Sequence, residues 1–75
     1  MELVDFLINV HPELPATERS DLESEINKVD GVVSACFSPG HPHMLEVTYN
    51  PDVVTSSAVL ARVGKRGITA NKIGL

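Results

Sequence analysis

Hydrophobic and polar positions alternate over residues 5–10: Phe6, Ile8 and Val10 fall on one side of an extended chain, and Asp5, Leu7 and Asn9 on the other. That period of two predicts a half-buried strand. After the connection "HPELPATE" (residues 11–18) the period changes, and Leu22, Ile26 and Val29 recur at i, i+4 and i+7 among Glu18, Arg19, Asp21, Glu23, Glu25 and Lys28. A helix of roughly 14 residues with one apolar stripe is expected there. Pro15 suits its first turn or the position before it, and Gly31 suits a left-handed terminus.

The stretch "VVSACF" predicts a second strand with Val32, Ala35 and Phe37 inward. The step of three from Val32 to Ala35 predicts an irregularity in the pleat, and Cys36 is expected to face outward. "SPGHPH" has turn chemistry, and "MLEVTY" alternates again with Leu45, Val47 and Tyr49 inward, so the two strands form a hairpin. Asn50-Pro51 stops the third strand. Thr55 or Ser56 can cap a second helix that carries Val59, Leu60 and Val63 and ends at Gly67. Gly64 weakens its last turn by about 1 kcal/mol relative to alanine. "ITANKI" supplies a short final strand through Ile68, Ala70 and Ile73.

The order is therefore βαββαβ, an α+β ferredoxin-like sandwich with two helices on one face of a four-stranded antiparallel sheet. A chain of 75 residues has room for one modest core, so residues 1–75 are expected to form a single domain. The outer sheet face, with Asp5, Leu7, Asn9, Cys36, Glu46, Thr48 and Asn71, is mostly polar and suited to water.

Composition narrows the function classes. No apolar run approaches the roughly 20 residues of a membrane span, and "MELVDFLINV" is acidic where a secretory leader is basic; a cytoplasmic setting without membrane insertion is expected. The single cysteine rules out an internal disulfide framework and any CxxC pair. Residues 1–31 carry eight acids against Arg19 and Lys28, a net of -6, whereas residues 32–75 carry Glu46 and Asp52 against four bases, a net of +2. Four scattered cations with few aromatics do not track phosphates, so nucleic acid is not an expected partner. No nucleophile–base–acid set or phosphate-cradling glycine loop is present, which argues against an enzyme.

The stretches "GVVSACF", "LEVTYNPDVVT" and "VGKRGITA" resemble the second half of the heavy-metal-associated domains found in copper chaperones and metal-pumping ATPases. Tyr49-Asn50-Pro51 with Val54-Thr55 is the most specific part of the likeness. Counting back from Gly31, the resemblance sets the family's GMxCxxC metal loop on Pro12 to Glu18. Pro15 and Glu18 then stand where the two metal-binding cysteines would be, and Glu13 stands in place of the buried methionine. Thiolates select Cu(I), and a proline with one carboxylate does not replace them. The two-cysteine copper site is therefore not carried over.

The topology gathers a different set of donors at the same end. His11, Glu13 and Glu18 from the first turn, His41 and His43 from the hairpin, and Lys65 and Arg66 after the second helix are expected together. Imidazole and carboxylate suit Zn, Ni or Cu(II). The expected ligand set is His41 and His43 with His11 or Glu13, and Cys36, Met44 and Glu18 are weaker candidates. A metal-transport protein or a second copy of the chain would be the partner. The alternative is a degenerate scaffold that docks proteins without metal, with the acidic first helix, Glu23 and Glu25 included, as the docking surface. Loop histidines are also commonly mere solvated residues, so the two readings stay open at this point.

Overall fold

The computed structural model describes residues 2–73. Strand β1 spans Val4–His11, helix α1 Ala16–Asn27, β2 Val32–Ser38, β3 His41–Tyr49, α2 Ser56–Gly64 and β4 Thr69–Ile73. The four strands form one sheet in the order β2-β3-β1-β4, and every neighbouring pair is antiparallel. This is the βαββαβ arrangement expected from the hydrophobic periodicity.

The core lies between the sheet and the helices. It is built from Phe6, Ile8 and Val10 of β1, Leu22 and Ile26 of α1, Ala35 of β2, Leu45, Val47 and Tyr49 of β3, and Val59 and Val63 of α2. Leu14 joins them from the β1–α1 connection, 8% exposed. It is the one core residue that the strand and helix periods do not indicate, because it belongs to neither element. Phe6 and Tyr49 meet edge to face with ring centroids 5.4 Å apart, the geometry that sets the positive edge of one ring against the negative face of the other.

Helix α1 is shorter than its apolar stripe implies. It ends at Asn27 with Lys28 as C-cap, and Val29 is half-buried in the turn that follows. Gly31 serves that turn rather than the helix end. Its φ is +95°, and a Cβ built on it would lie 2.8 Å from Val54 Cγ1 and 3.0 Å from Val53. Both the positive φ and the close packing require glycine. The Gly31 carbonyl accepts from the Asn50 N–H at 2.7 Å, which ties this turn to the end of β3. At the other helix, Thr55 is the N-cap and its hydroxyl accepts from the Ala58 N–H at 3.1 Å.

The expected irregularity in β2 is present as a register shift against β3 between Val32 and Ser34. The hairpin departs from expectation. Only Pro39 and Gly40 separate the strands, and Gly40 has φ +78°. His41 to Met44 lie in β3 and not in a long turn. A second register shift, between Phe37 and Ser38, accommodates them: Phe37 is opposite Leu45, but Ser38 is opposite His41. Pro42 has no N–H to offer a ladder, and a bulge is where a strand tolerates that loss.

Helix α1 also covers the edge of β2. Asn27 Nδ2 donates to the Ala35 carbonyl at 2.9 Å, Ala35 N–H donates to Asn27 Oδ1 at 3.0 Å, and Phe37 N–H donates to Glu23 Oε2 at 2.7 Å. Two side chains thus satisfy outward backbone groups that an added strand would otherwise pair. In β4, Ala70 and the preceding Ile68 pack against the core. Ile73 is opposite Leu7 and follows the other face, not the inward line expected of it.

Candidate metal-handling end

The antiparallel register brings three connections to one end of the molecule. Asn9 of β1 is opposite Met44 near the start of β3, His11 is opposite Thr69 at the start of β4, and Ser38 is opposite His41 across the hairpin. The β1–α1 connection, the hairpin and the segment after α2 therefore converge, as the topology predicts. All three histidines lie at this end and are exposed.

His41 and His43 are two residues apart on one strand, so their side chains leave the same side. Their ring centroids are 6.2 Å apart with the planes at 84°. His11 is separated from them by strand alternation. It keeps step with Leu7 and Asn9, whereas His43 keeps step with the buried Leu45 and Val47. The two lie on opposite faces of the sheet. Cys36 is exposed and opposite Glu46, and Met44 is opposite Asn9, which puts both on the helix-free face.

Glu13 is exposed in the connection, between Pro12 and the buried Leu14. Pro15 is the N-cap of α1, and Glu18 is exposed in the first turn, where its charge suits the positive end of the helix dipole. The Arg19 guanidinium donates to the Leu14 carbonyl at 2.6 Å and holds the connection against the helix. Leu14, one place after Glu13, is the buried apolar residue of this connection. Among the described residues no three His, Cys, Asp or Glu side chains come together as an ion site. The pair His41–His43 is brought together; His11, Glu13, Glu18, Cys36 and Met44 are not drawn to it.

The acidic surface of α1 is partly committed within the fold. Glu23 accepts from the Phe37 backbone, and Glu25 pairs with Arg66 at 2.8 Å and with Arg62 at 3.8 Å. These contacts tie α1 to β2 and to the end of α2. The two acids expected to dock a partner thus have structural work, a role that sequence spacing alone does not reveal because the partners are far along the chain.

No family model matches the chain, and no curated protein matches it. Solved structures do. A copper-binding domain of a P-type ATPase superposes with a TM-score of 0.83 over 93% of each chain at 17% identity. The CopZ metallochaperone gives 0.80 at 24% identity, over 91% of this chain and all of that one, covering 100%. Oxidized MerP from Ralstonia metallidurans gives 0.85 at 12% identity, over 97% of this chain and 100% of that one. The chain therefore has the fold of the heavy-metal-associated domains that its second half resembles. Among the described residues no helix is long and apolar enough to cross a membrane.

Proposed function

We propose that residues 1–75 act as one metal-handling domain in the cytoplasm, in which imidazole replaces thiolate and His41 and His43 are the primary ligands. The observation that carries the reading is the His41–His43 ring pair, 6.2 Å between centroids, at the end of the sheet where the resemblance sets the metal loop. Zn–N bonds of about 2.0–2.1 Å at a tetrahedral angle put two ring centroids about 5 Å apart. Closing the pair takes about 1 Å of side-chain rotation, which exposed rings have the freedom to make.

The ion is cargo. An exposed two-nitrogen site leaves coordination positions open, so an incoming ligand can displace the ion stepwise without unfolding the site. Zn, Ni and Cu(II) match imidazole, and Cu(I) does not find its thiolate pair here. Glu13, exposed in the β1–α1 connection, and His11, on the other sheet face, are the further donors expected from the sequence, and among the described residues neither joins the pair within one chain. A metal-transport protein is the natural recipient, by analogy with the metallochaperone and ATPase domains that share the fold.

The test is a two-dimensional NMR titration of the metal-free protein with Zn(II), Ni(II) and, under reducing conditions, Cu(I). Saturable shifts of the His41 and His43 ring signals with Zn(II) or Ni(II) support the reading. Histidine rings that stay unmoved at near-stoichiometric ion overturn it and leave a protein-docking scaffold as the account of this fold.

A further inference from the structure

We propose that a second copy of this chain completes the coordination sphere, so that one divalent ion is bridged by the His41–His43 pairs of two molecules. The inference rests on the imidazole reading above. It follows from counting donors. A four-coordinate ion needs four ligands, and sites that bind firmly draw at least three of them from protein. One chain offers two imidazoles, and among the described residues no third His, Cys, Asp or Glu joins them. The two missing nitrogens have the same chemistry and the same spacing as the two already present.

Placement permits the pairing. His41 and His43 sit on the strand that follows a two-residue turn, at the tip of the molecule, and both are exposed. Two such tips can meet around a twofold axis through the ion, the isologous arrangement in which each copy presents the same patch. The ion is also the element that makes association favourable. Each chain carries a formal charge of -4, so two copies repel without it. A metal-free monomer and a metal-dependent dimer are the consequence.

Sedimentation velocity of the full chain, with Zn(II) as the sole metal, tests this alongside NMR of the histidine rings. The expected result is a monomer without zinc and a doubling of mass that is complete at one ion per two chains. H41A and H43A, each altering an exposed side chain, are expected to stay monomeric with zinc. If the histidine rings respond to zinc but the mass stays that of one chain, the bridge is overturned and the imidazole site stands. If neither the rings nor the mass responds, both fall. A dimer that forms without zinc, or that persists in the H41A/H43A double variant, also overturns the bridge.

Discussion

Replacing Asn27 with alanine tests how the sheet edge is held. Asn27 makes two hydrogen bonds with the backbone of Ala35, at 2.9 and 3.0 Å, and Ala35 is 4% exposed. Each such bond contributes roughly 0.5–1.5 kcal/mol net, so the pair contributes about 1–3 kcal/mol. Alanine returns up to about 0.5 kcal/mol through its higher helix propensity at this last residue of α1. The expected net loss is about 1–2 kcal/mol. For a domain of this size that lowers Tm by roughly 5–15 °C. Thermal unfolding followed by circular dichroism measures it, with Ser24→Ala on the exposed side of the same helix as the control, expected to change stability by less than about 0.5 kcal/mol. An Asn27→Ala protein as stable as the parent would show that the β2 edge does not depend on these bonds.

Three further outcomes follow from the packing. Gly31→Ala combines a positive φ with a Cβ 2.8 Å from Val54 Cγ1, and should cost about 2–3 kcal/mol in urea unfolding, only slightly relieved by adding Val53→Ala, which removes the Val53 Cγ1 contact but keeps the Cβ contact at 3.0 Å. Leu14→Ala should cost about 2–4 kcal/mol, a core-sized loss from a residue in a connecting segment, because its side chain is 8% exposed within the core cluster. Cys36→Ser should leave the zinc response of the His41 and His43 ring signals unchanged in NMR, since Cys36 is on the helix-free face opposite Glu46.

Period-two and i, i+4 patterns made both helices and most of the sheet legible, and the step from Val32 to Ala35 even located the register shift at Val32 to Ser34. What the patterns could not convey came from long-range bonding. The bonds from Glu23 and Asn27 to β2 span 14 and 8 residues, and nothing in the local sequence around a glutamate on the polar side of a helix distinguishes such a partner from solvent. The stretch "GHPH" reads as turn because proline and glycine dominate it, yet pairing against β2 draws His41 to Met44 into a strand through a register shift. The grouping of three histidines at one end follows from topology. Their separation by face follows from parity: His11 is odd on a strand whose even residues are buried, and His43 is odd on a strand whose odd residues are buried. That parity was readable in the sequence, and it divides a set that topology alone would unite.

Calorimetric titration of Zn(II) into the parent protein, H41A and H11A shows which histidines hold the ion. H41A is expected to weaken binding by at least about tenfold, since loss of a direct ligand should cost no less than the 10–100-fold lost with outer-sphere partners. H11A should bind within about twofold of the parent, a difference of roughly 0.4 kcal/mol. Equal losses in H41A and H11A would mean that the ion draws histidines from both faces of the sheet, and a parent protein that binds no Zn(II) would contradict the His41–His43 zinc site.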